Sequence, residues 1–307
     1  SDWEALRDRY SSAAADPTPA PSVFRRPITS GLWPPGVPHV PPPHVPLSNA
    51  TIRDAVRDAV AAGGPEYAHP VYGPIAGWDV SSVTTMNSVF ENATAFNGDL
   101  SRWDVSSVKD MSGMFADAAA FNGDLSGWDV RNVEDMDALF YRASAFNGDL
   151  SGWDVRNVWD MGSMFYRAAA FNGDLSRWDV RKVTKMYGMF QGATAFNGDL
   201  GGWDVRNVRY MSRMFANARA FNGDLSRWDV RNVRDTSYMF RNAAAFNGDL
   251  SGWDVRNVAN MSNMFYQAAA FNGDLSRWDV NNGAMMRDMF EGAVAYRPAH
   301  ALGSRRP

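Results

Sequence analysis

The chain has 307 residues, a formal net charge of −4 and no cysteine. That charge gives no polycationic case for nucleic acid. The missing cysteine excludes disulfides, thiolate catalysis and Cys-ligated metals. No apolar run approaches the ~20 residues that a membrane-spanning helix needs.

The chain starts Ser1-Asp2-Trp3-Glu4, with no initiator Met and no apolar leader. It is expected to be a mature or trimmed chain whose targeting segment has gone; the compartment stays open. Asp2 to Tyr10 is a short charged stretch, read as a helical turn or two. Residues 16–46 then hold 11 of the 16 prolines, including Pro41-Pro42-Pro43. Such a segment favours extended polyproline II and cannot build a core. Phe24, Leu32 and Trp33 punctuate it. Residues 1–47 are therefore read as an N-terminal extension with a Pro-rich arm, and Trp33 as its docking residue.

Residues 48–77 read as a helical cap and lead-in. Ser48 or Asn49 can cap a helix over Ala50 to Ala62. Ile52, Val56 and Val60 form one apolar stripe, and Gly63-Gly64-Pro65 ends it.

From Trp78 the sequence repeats. Trp-Asp-Val returns at Trp103, Trp128, Trp153, Trp178, Trp203, Trp228, Trp253 and Trp278, always after 25 residues. A fixed period of this size marks a stacked repeat architecture. Counted from the Trp, positions 9, 12, 13 and 16 are apolar; in the second copy they are Met111, Met114, Phe115 and Ala118. That spacing predicts one face of a short helix. Phe121-Asn122-Gly123-Asp124-Leu125-Ser126 breaks the pattern with an Asn-Gly turn. Leu125 offers a short strand position, and Trp128 and Val130 share one extended face. Each coil is thus expected to be strand, bend, extended segment, short helix and turn, with neighbouring strands parallel. At ~4.8 Å per coil, nine coils make a rod of roughly 40 Å. The fold class read from the sequence is an α/β repeat solenoid of leucine-rich-repeat type. It holds nine 25-residue coils over 78–297 and a helical N-terminal cap. The ninth copy decays into Asn281-Asn282-Gly283 and carries Tyr296 for the usual Phe. Residues 290–307 close the array as a cap, with 298–307 as the tail.

The unit, with Phe-Asn-Gly-Asp-Leu unchanged in eight consecutive copies from Phe96 to Leu275, resembles the 25–26-residue repeat of BspA-like bacterial surface proteins and mycoplasma lipoproteins, relatives of the leucine-rich repeats. The resemblance covers about Tyr72 to Tyr296. It implies a leucine-rich-repeat-like solenoid; it does not imply a reaction.

Several columns run through the array. The Met, Phe and Trp columns read as core, with a pigment or hydrophobic-ligand track as the alternative. The Asn97 to Asn272 column reads as a backbone-bonding ladder. The Asp columns at positions 2 and 22 place like charges about 5 Å apart and need compensation. Local bonding to turn amides and pairing with the Arg column at position 4 (Arg131 to Arg256) are the favoured answers. Calcium is the alternative.

Positions 7, 8, 10, 11, 14 and 15 differ between copies and form the expected outer helical face. Tyr141, Tyr166, Tyr187, Tyr210, Tyr238, Tyr266, Trp159, Arg142, Arg167, Arg209, Arg213 and Arg241 sit there. Tyr and Arg are enriched at binding hot spots, so these residues and Trp33 are the candidate partner-binding set. The four histidines, His39, His44, His69 and His300, lie outside the coils and lack zinc-site spacing. No nucleophile elbow, phosphate loop or dinucleotide fingerprint is present. The carboxylates recur uniformly, whereas a catalytic pair needs two environments. The expected function is a non-catalytic, cofactor-free and metal-free scaffold or linker subunit in a larger assembly, membrane or organellar association included. It would bind other proteins through the outer face and the arm, and no nucleic acid. The alternative is a cell-surface adhesion or glycan-binding repeat protein.

Overall fold

The structure is a computed structural model and describes residues 45–64 and 67–297. The chain divides into two units, Ser1–Pro41 and Pro42–Pro307, and every described residue lies in the second. Trp33, the turns expected over Asp2 to Tyr10, the Pro-rich arm up to residue 44 and the tail from 298 lie outside the described residues.

Helix α1 spans Ile52–Ala62 and buries Ile52, Ala55, Val56 and Ala59. These fall at i, i+3, i+4 and i+7, one face of the helix. Leu47, just ahead of it, is also buried in the core and donates its N–H to the Asp79 carbonyl at 2.8 Å.

Nine coils follow from Trp78, and three ladders of rings fill them. The position-13 rings stack between coils, as in Phe115–Phe140 with centroids 5.6 Å apart. The position-19 rings do the same, as in Phe121–Phe146 at 6.0 Å. Trp128 and Trp153 stack at 6.4 Å. From Leu100 to Leu250, each position-23 carbonyl accepts the indole N–H of the second Trp after it, as in Trp153 to Leu125 at 3.0 Å. The Trp and Phe columns are buried, so they act as core.

The expected helix and strand of each coil are absent: among the described residues the coils hold neither. Parallel pairing is a single bridge per coil at position 8, from Thr85↔Asp110 to Asn260↔Met285, and not at the Leu or Trp-Asp-Val positions. The segment over positions 9–16 is a run of turns. In the first coil the N–H groups of Val89, Glu91 and Ala93 donate back to Met86, Ser88 and Phe90, closing i→i+3 turns. The alternate N–H groups of Met86, Ser88, Phe90 and Asn92 donate instead to Asp110, Ser112, Met114 and Ala116 of the next coil. Half of the donors that an α-helix would spend on i−4 carbonyls thus bind coil to coil.

Two left-handed columns impose this alternation. Every residue at position 11, from Ser88 to Asp288, and every residue at position 15, from Asn92 to Gly292, has φ between 50° and 73°. Positive φ at i+2 is the mark of a type II turn, and it cannot continue a right-handed helix. The apolar spacing 9-12-13-16 is satisfied equally by such turns, so it does not discriminate them from a helix.

The lead-in replaces the missing coil ahead of Trp78, column by column. The Asn49 amide oxygen accepts the N–H of Thr84 at 2.8 Å, where Lys109 uses the Thr84 carbonyl. The Tyr67 hydroxyl accepts the N–H of Asn97, and its ring lies 4.7 Å from Phe96. Ile75 accepts the Trp103 indole N–H at 2.8 Å, the part Leu100 plays for Trp128.

Candidate functional site

The repeated polar columns bond locally. From Asn97 to Asn247, each side-chain oxygen in the position-20 column accepts the N–H of the Asn one coil on, as in Asn147 to Asn122 at 2.8 Å. Position-22 Asp residues accept the amide two residues on, as in Ser126 to Asp124 at 2.9 Å. The Ser126 hydroxyl and amide hold the Asp124 carboxyl below its ordinary range. Position-2 Asp residues accept both the amide and the guanidinium of the position-4 Arg, as in Arg156 Nε to Asp154 at 2.8 Å. Such exposed pairs contribute little to stability.

The variable columns form the outward side of the turn run. The predicted residues engage one another along it. Tyr141 and Tyr166 stack at 4.5 Å with planes 6° apart. Arg142 lies 5.4 Å from the Tyr141 ring centre and Arg167 5.4 Å from that of Tyr166. Arg213 lies over Tyr238 at 4.7 Å, and Arg241 sits 5.6 Å from Tyr238 and 5.0 Å from Tyr266. Arg142, Arg167, Arg213 and Tyr238 occupy left-handed positions. Trp159 and Tyr210 are the exposed rings, at 40% and 42%, whereas Tyr166 is buried at 6%. Tyr141, Arg142, Tyr166, Arg167, Arg213, Tyr238, Arg241 and Tyr266 are thus mutually stacked, whereas Arg209 and Tyr210 stand outside those stacks.

Tyr187 points elsewhere. Its hydroxyl donates to Asp137 Oδ1 at 2.9 Å, two coils back. The ring crosses Gly162, where an added Cβ would stand 2.3 Å from it. Asp137 and Asp160 are buried, at 8% and 4% exposed. Lys185 donates to Asp160 at 2.9 Å and sits 4.7 Å from the Trp159 ring centre. Burial, and then the Asp160 charge, pushes Asp137 up to about 7. Burial also raises Asp135 to about 6. Sequence reasoning missed Asp135, Asp137, Asp160 and Lys185. The available signal was a run of acids at position 8 (Asp110, Asp135, Asp160) broken by Lys185.

Farther along, a groove of about 430 Å³ is lined by Asn207, Arg209, Tyr210, Asn232 and Arg234. Arg209 and Tyr210 were in the predicted set. Asn207, Asn232 and Arg234 were not, although Arg234 repeats Arg209 one period later. Among the described residues no group of three or more His, Asp or Glu side chains is placed to share a metal ion. No helix there is long and apolar enough to cross a membrane.

The family model described as "Mycoplasma protein of unknown function, DUF285" matches residues 66–172, 149–247 and 224–301 in tandem. The chain belongs to this family. Comparison with curated proteins gives no match. A solved structure titled "Crystal structure of TLR13-ssRNA13 complex" is similar at 10% identity, over 71% of this chain and 45% of that one, with a TM-score of 0.24. The chain spans less than half the length of that protein, and a score so low bears on neither fold nor function.

Family membership agrees with the resemblance carried by the Trp-Asp-Val and Phe-Asn-Gly-Asp-Leu columns, and it assigns no chemistry to them. Three groups of side chains stand out along the array. They are the Tyr141–Tyr166 stack beside the Asp137–Tyr187 bridge, the Asn207–Arg234 groove, and the Tyr238–Tyr266 stack.

Proposed function

We propose that the chain is a non-catalytic protein-interaction scaffold whose binding surface is the outward side of the turn run. One observation carries this reading: Tyr and Arg side chains stand stacked in register along consecutive coils. Ordering a long side chain at an interface costs about 0.5–1.5 kcal/mol. Here the Arg142–Tyr141–Tyr166–Arg167 group is already held. Tyr and Arg are also the residue types that dominate hot spots. The buried acids support a structural role over a catalytic one. Asp137 and Asp160 do occupy distinct environments, but each is already bonded, to Tyr187 and Lys185, and shielded from solvent.

In this reading the extension 1–47, with Trp33 and its polyproline segment, docks on a second partner, making the chain a linker in a larger assembly. Removing residues 1–44 tests that half of it and leaves Leu47 in the core. An assembly that retains the shortened chain at unchanged affinity contradicts it. The face is tested with Trp159→Ala/Arg167→Ala, both exposed, as bait beside the unaltered chain in quantitative cross-linking. A defined protein partner retained by the chain and reduced about tenfold, or ~1.4 kcal/mol, at an unmoved melting temperature, is the expected result. Equal retention contradicts the assignment. A second reading, a surface adhesin that binds glycan, is favoured by the groove at Tyr210.

A further inference from the structure

The cations of this face divide into two kinds. Arg131, Arg156, Arg181, Arg206, Arg231 and Arg256 each pair with the Asp two residues before them. Arg142 pairs with Asp117, and Lys185 with Asp160. Arg213 and Arg241 lie over tyrosine rings. Arg209 and Arg234 do none of this. Among the described residues no carboxylate lies within 4.0 Å of either and no ring sits beneath them; Arg234 reaches only the Asn257 carbonyl, at 3.5 Å.

The two are also neighbours. Both occupy position 7, and the Arg234 N–H donates to the Arg209 carbonyl at 2.9 Å, so their backbones lie one coil apart, about 5 Å. Like charges stacked in one column repel unless a counter-charge sits beside them. The same column shows the compensated alternative four coils earlier, where Lys109 faces Glu134 at 4.0 Å. In coils 6 and 7 the counter-charge is missing, and there the surface opens into the groove of about 430 Å³, a volume in the range of small-ligand clefts.

The rest of the lining narrows the ligand. Tyr210 offers a ring that is 42% exposed. Asn207 and Asn232 each spend one side-chain N–H on a backbone carbonyl, of Arg181 and Arg206, at 2.7 Å. Their amide oxygens remain as acceptors. The groove thus combines two cations for an anionic group, a flat ring for an apolar face, and neutral acceptors for hydroxyl donors. An acidic side chain of a peptide supplies the first alone. A sugar ring bearing a carboxylate or sulfate supplies all three.

We infer that the Asn207–Arg209–Tyr210–Asn232–Arg234 groove is a binding site for acidic saccharides. The site is independent of the protein-binding role assigned to the stacked Tyr–Arg groups, and neither reading falls with the other.

The test is titration calorimetry of the full chain with a sulfated tetrasaccharide, a polyuronate fragment, an uncharged oligosaccharide of equal length and oligoglutamate. Binding of either acidic saccharide, weakening as salt rises and absent for the neutral oligosaccharide and for oligoglutamate, is expected. Arg209→Ser/Arg234→Ser should weaken it at least tenfold at an unchanged melting temperature. Arg209→Lys/Arg234→Lys should restore most of it, and Tyr210→Ser should weaken it severalfold. Saccharide binding untouched by the double Ser variant overturns the site. Oligoglutamate binding as tightly overturns the ligand class, and no saccharide binding at low salt overturns both.

Discussion

The hydroxyl of Tyr187 donates to the carboxyl of Asp137 across two coils, 50 residues away in sequence and 2.9 Å in space. Gly162 lies between them and permits the crossing, because a Cβ there would stand 2.3 Å from the Tyr187 ring. The bridge ties coils 3, 4 and 5 together.

Gly162→Ala is expected to expel the ring and destabilise the chain by about 1–3 kcal/mol, the usual cost of overpacking. Tyr187→Phe keeps the ring but leaves a buried carboxyl oxygen unpaired, a loss of about 1–3 kcal/mol. Denaturant titration of both variants checks this. A Gly162→Ala midpoint equal to that of the unaltered chain would show that the ring does not rest there.

The same carboxyls set a pH dependence. Asp135 and Asp137 are raised to about 6 and about 7 by burial, above an unfolded value near 3.9. Between these values the folded chain holds protons that the unfolded chain has released. Stability therefore falls as pH rises from about 4 to about 7, by on the order of 2–4 kcal/mol over the part above about pH 5. The acids held low by Ser or Arg, such as Asp124 and Asp129, act oppositely and only below about pH 4. Melting temperature followed from pH 5 to 8 should decline, and Asp137→Asn should flatten most of the decline. A melting temperature that rises over this range contradicts the burial of these groups.

The left-handed columns make a third prediction. An L-residue at such a φ costs about 1–2 kcal/mol, and glycine regains most of that, less about 0.5–1 kcal/mol of unfolded-chain entropy. Gln267, exposed with φ 54°, should become more stable as Gly by up to ~1 kcal/mol. Gly188, with φ 58°, should lose more than 1 kcal/mol as Val. Paired thermal melts decide it, and the opposite ordering is incompatible with the two columns.

The core was legible in the sequence because its columns are strictly periodic. Trp128, Val130, Met136 and Phe146 point inward for the reason their spacing suggests. The helix was misread because 9-12-13-16 fits a run of turns as well as a helix. The discriminating signal lay in the positions taken as freely variable. Asn92, Asp117, Gly192, Asn217, Asn242 and Gly292 give position 15 a left-handed-tolerant residue in six of nine coils. Those positions vary within a backbone constraint as well as facing outward. The Asp137–Tyr187 bridge was not legible, since nothing local links residues two periods apart. The stacking of Tyr141 on Tyr166 was available from their shared position 14, which makes them neighbours in adjacent coils.

Everything placed on the outward face depends on alternate N–H groups bonding the next coil instead of closing a helix. Far-UV circular dichroism of the chain tests that claim most directly. Across residues 45–297 the account predicts helical signal from little more than the 11 residues of α1. A spectrum with strong minima near 208 and 222 nm, as nine further helices of two turns would give, would contradict it.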